Sequence, residues 1–264
     1  SGHAKPHRGQ FNLSNGLHPW WEAAPSERWD GAWSGTVWFR YSESDWRVDI
    51  PQLELALPGL TATTEVSWTP RRLELNGSLE ATPAVSKRCP LVPDLQWDAG
   101  AISSKFELTW NGSHIDYDLI AHLNRTSGSW GNKPWSAEAE TRILPDQLAI
   151  KEAEVNWATE TWNLSGTLRD PWSGGPIVGN FRASSPRLTL AEGTQGAAQA
   201  WWEPLNLPPG SQVTANVDLA EIASDGVHLA NNEVAMSLLP QRLEFEATAE
   251  AWNGTCSAKG IAQW

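Results

Sequence analysis

The chain has 264 residues, 40% of them hydrophobic, with 19 Lys and Arg against 31 Asp and Glu and a net charge of −12. That length can hold one large β domain or two small ones, and the apolar content argues against intrinsic disorder. The acidic balance argues against a nucleic-acid partner and against adsorption to anionic headgroups through a polybasic patch; binding of lipid tails depends on apolar area and stays open.

The chain opens Ser1-Gly2-His3 and its only methionine is Met236, so the start reads as a tag remnant on an excised or processed segment. Any signal peptide or membrane anchor then lies outside it, and no internal apolar run approaches the roughly 20 residues of a membrane helix. Residues 1–19 are polar and aperiodic, an irregular lead-in. Residues 20–264 read as a repeating antiparallel β domain, itself a candidate segment of a larger protein. From about Trp29 the pattern is period-two alternation, which belongs to strands with one buried face. Gly and Pro are scattered along the length, as turns between many short strands require.

Asn76-Gly77 is the first turn signal, but a strict two-residue loop there would put Leu79 on the wrong face, so a longer loop or a bulge is expected. The clearest hairpin is Lys105–Leu123. Phe106, Leu108 and Trp110 alternate with polar residues, Asn111-Gly112 supplies the turn, and Ile115, Tyr117 and Leu119 follow. A two-residue loop would pair Trp110 with Ser113, Leu108 with Ile115 and Phe106 with Tyr117. A short helix is expected around Gln195–Trp202. A second Asn-Gly hairpin at Trp252-Asn253-Gly254-Thr255 would join Leu243–Ala251 to Cys256–Ala262, with Leu243, Phe245, Ala247, Ala249 and Ala251 on one face. A Pro-led strand start, Pro followed shortly by Leu-x-(Leu/Ile/Phe), recurs at Pro51, Pro70, Pro145, Pro186 and Pro240, a plan reused without a fixed period.

No catalytic machinery is recognisable: there is no GxSxG, HExxH, P-loop or dinucleotide-binding glycine motif. The chain is therefore expected not to be an enzyme and to need no cofactor. His114, Asp116, Asp118 and His122 fall on one side of a strand, which reads as its solvent face rather than a metal site. Cys89 and Cys256 are the only cysteines; they could form one disulfide in an oxidising compartment or stay free thiols. Six Asn-x-Ser/Thr sequons occur, but turn chemistry alone explains those at Asn76, Asn111 and Asn253. Tryptophan is the compositional anomaly, 18 residues against two Tyr and five Phe. Trp can stack on sugars, line an apolar groove, or fill a core with its indole N–H on a carbonyl. Trp38, between Val37 and Phe39, makes its strand look apolar on both sides.

The stretch from Leu207 to Gly260 strings an extended strand, an Asp-Gly link at Asp225-Gly226, a second strand, a Pro-led strand and a small-residue strand closing on glycine. With Trp33-Ser34-Gly35 and Leu164-Ser165-Gly166-Thr167-Leu168, it resembles the AsmA-like family of bacterial envelope proteins, the TamB and YdbH types among them. The smaller type II secretion protein N is written in a similar style. The resemblance implies an extended, curled antiparallel sheet with little helix, a β-groove or partly open β-sandwich. It further implies a periplasmic location, membrane attachment through a missing anchor, and an apolar face holding phospholipid or fatty acyl chains during lipid transport between membranes or outer-membrane biogenesis. The groove candidates are Phe106, Leu108, Trp110, Ile115, Tyr117 and Leu119, then Val213, Val217, Leu219, Val234, Met236, Leu238, Leu243 and Phe245; each could equally be sandwich core. Two other functions stay open: a Trp-rich carbohydrate-binding sandwich, and an envelope scaffold that binds protein by strand addition at an open edge.

Overall fold

The computed structural model describes residues 3–12, 30–42, 45–85, 95–131, 133–189, 207–224, 227–251 and 254–263. Among them are strands and turns and no helix, so the all-β expectation holds. The strands are β1 (His3–Asn12), β2 (Asp30–Ser42), β3 (Asp45–Leu57), β4 (Leu60–Thr69), β5 (Arg72–Ala81), β6 (Leu95–Trp110), β7 (Ile115–Trp130) and β8 (Lys133–Leu144). They continue with β9 (Gln147–Trp157), β10 (Glu160–Arg169), β11 (Val178–Ser185), β12 (Leu188–Thr189), β13 (Gln212–Ser224), β14 (Val227–Leu239), β15 (Arg242–Ala251) and β16 (Gly254–Gln263). The chain divides into two units, Ser1–Glu138 with Ile143–Pro145, and Ala139–Arg142 with Asp146–Trp264. The segment around the expected helix at Gln195–Trp202 lies outside the described residues, as does Cys89.

In the first unit β1 to β7 form an antiparallel meander in sequence order. β1 departs from the expected irregular lead-in. It joins β2 through the backbone ladder, which needs no apolar pattern, and its Pro6 is of the kind tolerated at a sheet edge. Turn chemistry closes the hairpins. Pro58-Gly59 joins β3 to β4 with Gly59 at φ +79°, the left-handed value that the third residue of a type II turn demands. Pro70-Arg71 fills the two-residue turn between Thr69 and Arg72.

Two expected turns come out differently. Asn76-Gly77 is no turn: both residues lie inside β5, which runs unbroken against β4 and β6. Leu73, Leu75 and Leu79 then share one face without any loop or bulge. Glycine is there because the neighbouring strand comes close; a Cβ would lie 2.8 Å from Thr64 Cβ and closer still to the Thr63 carbonyl oxygen. At Asn111-Gly112 the hairpin forms, but its loop holds four residues rather than two, pairing Trp110 with Ile115, Leu108 with Tyr117 and Phe106 with Leu119. Asn111 causes the difference. Its Oδ1 accepts from the His114 amide at 3.0 Å while its own N–H donates to the His114 carbonyl at 3.1 Å, closing a wider turn. The ladder shifts by two positions, an even number, so every apolar side chain keeps its expected face.

In the second unit the order is β9-β10-β11-β13-β14-β15-β16, with β12 also on β13. All pairs are antiparallel except β11–β13 and β12–β13, which are parallel, a departure from the wholly antiparallel expectation. Ser211 fixes the start of that ladder: the Ile177 amide donates to its Oγ at 2.8 Å, and the Gln212 amide donates to the Ile177 carbonyl at 2.8 Å. Pro240-Gln241 makes the two-residue turn between Leu239 and Arg242, with Gln241 at φ +58°. The hairpin expected at Asn253-Gly254 forms with its turn displaced: Gly254 already belongs to β16 opposite Ala251, and because the ladder shifts by an even number the expected faces are kept, while residues 252–253 lie outside the described residues. Of the other Pro-led starts, Pro51 lies within β3 at the bulge between Ile50 and Leu53, Pro145 links β8 to β9 and Pro186 follows β11. Among the described residues, β1 pairs with β2 alone and β16 with β15 alone.

A core in the sandwich sense is missing from the described residues. The buried hydrophobic side chains are Ala81, Ala153, Leu219, Ala223 and Ala249, none larger than leucine. A closed two-sheet core would bury large side chains, Phe and Ile among them.

Candidate ligand-binding face

Residues directly opposite each other on neighbouring strands share a face, so the register carries the period-two sorting of side chains across each unit. In the first unit the outermost row from β3 to β7 is Val48, Trp68, Leu73, Trp110 and Ile115. Behind it stand Ile50, Val66, Leu75, Leu108 and Tyr117, then Leu53, Thr64, Gly77, Phe106 and Leu119. Two further rows end at Ala121 and at Leu123. From the Trp110 row to the Ile102 row the face extends about 26 Å along the strands, at roughly 3.3 Å per residue. No charged side chain stands in these rows.

The second unit repeats the arrangement from β10 to β16. One row is Leu168, Gly179, Val213, Leu238, Leu243 and Ala262; the next is Gly166, Phe181, Ala215, Met236, Phe245 and Gly260. Large rings lie over glycines of the adjacent strand. A Cβ on Gly166 would strike Phe181, and one on Gly260 would strike the Phe245 ring. Every groove candidate named from the sequence stands on the apolar face of its unit.

Burial separates the faces. Thr64, Ala81 and Ser104 in the first unit, and Ala153, Ser185, Leu219, Asn232 and Ala249 in the second, are buried on the apolar face under larger neighbours. No residue registered on the opposite face is buried. The large apolar side chains themselves stay open: Ile115 is 54% exposed, Trp68 46% and Phe245 39%. Leu219 differs from the other candidates; at 5% exposure it bounds the open surface instead of lining it. Polar groups buried on this face bond to strand carbonyls, Thr64 Oγ1 donating to Asn76 at 3.1 Å and Asn232 Nδ2 to Leu219 at 3.1 Å and Leu229 at 3.0 Å. Because both partners of Asn232 are acceptors, its nitrogen is fixed toward them and its Oδ1 is left buried without a partner.

The opposite face is charged. Arg47 meets Asp49 at 2.7 Å, Lys259 meets Glu246 at 2.8 Å and Arg182 meets Asp218 at 3.6 Å. The hydrogen bond and charge of Asp49 push the Arg47 guanidinium further above its already high pKa. Glu107 stands directly opposite Asp118. Asp116, Asp118 and His122 occupy this face of β7 and His114 sits in the loop before it; among the described residues no group of three or more His, Cys, Asp or Glu is arranged to hold a metal. Cys256, on edge strand β16, carries an exposed free thiol, and its expected partner Cys89 lies outside the described residues.

The tryptophans stand in several settings. Trp97 donates its indole N–H to the Ala99 carbonyl at 2.7 Å and Trp135 to that of Gln96 at 3.2 Å, so both half-buried rings are held by the backbone. Trp68 and Trp110 stand in the outermost apolar row, and Trp46 meets Trp68 edge-to-face at 5.0 Å. Trp38 is 41% exposed and opposite Asp49, on the charged side, which confirms a strand with aromatics on both faces.

The apolar residues of β3 to β5, among them Leu53, Val66 and Leu75, belong to the same face as the named candidates but were not among them. Their alternation was visible in the sequence; the Asn-Gly pair in its middle masked it. No family model, curated protein or solved structure matches this chain.

Proposed function

We propose that this chain is a non-enzymatic segment of a bacterial envelope protein whose apolar sheet face holds lipid acyl chains, serving lipid transport between membranes or outer-membrane biogenesis. One observation carries the reading: in each unit an apolar face continues across strand after strand with its large side chains open, and in the first unit no charged side chain stands in its rows. Exposed apolar area on this scale marks an interaction surface, and flexible hydrocarbon fits a face built of rows. The periplasmic setting and the membrane anchor come from the AsmA-like resemblance alone. Strand addition is a second reading, favoured by β16, a ten-residue edge in unbroken register with β15 and free of proline.

Native mass spectrometry and organic extraction of freshly purified protein test the proposal. Co-purifying phospholipid or acylglycerol is expected, and Leu75→Asp with Leu108→Asp, placed side by side in one row, should abolish it while circular dichroism keeps its strand signature. A lipid-free extract, together with a tryptophan emission shift on adding oligosaccharide, would overturn it in favour of glycan binding.

A further inference from the structure

We infer that the apolar face of the first unit selects amphiphiles without net negative charge, neutral or zwitterionic acyl lipids, over fatty-acid carboxylates and acidic phospholipids. The inference rests on the acyl-chain reading above and adds a substrate class to it. Its basis is the contrast between the two sides of one sheet. Across β4 to β7 the apolar rows offer no Lys, Arg or His to pair with a carboxylate or phosphate. The reverse side of the same strands carries Glu65, Glu74, Glu80, Glu107, Asp116 and Asp118 against Lys105, His122 and Arg72, the last of which pairs with Glu74. Glu65 and Glu107 share one row of that side across Asn76, behind Val66, Leu75, Phe106 and Leu108.

A single sheet is thin. Carboxylates on one side lie on the order of 10 Å from a ligand on the other, about one Debye length at 0.1 M salt, and the path runs through protein that screens less than water. An anionic headgroup drawn over this face meets that field and finds no cation. Leaving a charge desolvated and unpaired is costly, so such a ligand must hold its headgroup in water or bind weakly. The second unit differs in balance, because across β10 to β16 its reverse side sets Arg169, Arg182, Arg242 and Lys259 among Asp218, Glu233, Glu244, Glu246 and Glu250. The discrimination therefore belongs to the first unit.

The test is displacement of the uncharged dye N-phenyl-1-naphthylamine by two ligands with the same chain, 1-monooleoylglycerol and oleate, below their aggregation limits at about pH 8, where the carboxylate is ionised. Monooleoylglycerol should displace the dye at about tenfold lower concentration than oleate in low salt. Raising salt to about 0.5 M, or combining Glu65→Gln with Glu107→Gln, should each narrow that gap to about threefold or less and leave monooleoylglycerol unchanged. Oleate binding as tightly as monooleoylglycerol, or a gap that neither salt nor the variant moves, overturns the charge selection while leaving the acyl-chain reading intact. A protein that takes up neither the dye nor either lipid sinks the acyl-chain reading, and the selection with it.

Discussion

Replacing Gly77 by alanine separates two accounts of the Asn76-Gly77 pair by the sign of its effect. If glycine merely occupied an open strand position, alanine would stabilise the protein by about 0.5–1 kcal/mol, since glycine gives up the most backbone freedom on folding. The structure leaves no room for that gain. The added methyl would lie 2.8 Å from Thr64 Cβ and 2.9 Å from Thr64 Cα, with the Thr63 carbonyl oxygen nearer than either. Those atoms belong to the β4 backbone or sit next to it, so relief requires moving the strand and stretching the ladder on both sides. Overpacking of this kind costs about 1–3 kcal/mol, and subtracting the propensity gain leaves a net loss of up to about 2.5 kcal/mol. Urea unfolding followed by tryptophan emission, with unchanged slope, reads the difference. Gly112→Ala serves as the contrast: nothing lies within 4 Å of its Cβ position, and its φ of +92° alone should cost about 1 kcal/mol. A Gly77→Ala protein more stable than wild type would refute the close approach of β4 to β5 and the unbroken course of β5 with it.

Glu107→Gln should raise stability by roughly 0.2–1 kcal/mol in low salt, because it removes a like charge directly opposite Asp118, and the gain should shrink as salt is added; urea midpoints at two ionic strengths check both parts. Thr126 is 1% exposed and its Oγ1 donates to the Ala137 carbonyl at 2.9 Å, so Thr126→Val, nearly the same shape, should lose about 1–2 kcal/mol in the same assay. The exposed Cys256 thiol should react with Ellman's reagent in the folded, unreduced protein; a silent thiol that appears only after reduction would show instead that it is bonded to Cys89.

Strand identity and face were legible because period-two alternation depends only on neighbouring residues. The hairpin at Asn111 shows how far that goes: its loop holds four residues instead of two, yet Leu108 and Tyr117 stand on the faces that alternation assigns them, since the shift is even. Loop length was hidden because the same Asn-Gly pair serves a two-residue turn, a wider turn closed by the Asn side chain, or, at Gly77, a close approach between strands; only the neighbouring strand decides. The parallel β11–β13 pair was equally hidden, because it joins segments that are not consecutive and leaves no local trace. On the candidate face, alternation marked which side each residue takes. It could not mark Leu219 as shut away, since burial there arises from its row of neighbours.

The parallel ladder also bears on how the chain reaches this state. Almost every strand pairs with its neighbour in sequence, so hairpins can form independently, each closing only a short loop, and grow by adding one strand at a time. The meander β13 to β16 can form in this way by itself. Joining it to β11 brings Val178 beside Gln212, a long closure that no local contact rewards beforehand. That junction is expected to be the slow, late step of folding. Until it closes, β11 and β13 each present an unpaired edge, which makes this interval the one in which a wrong strand is most easily accepted.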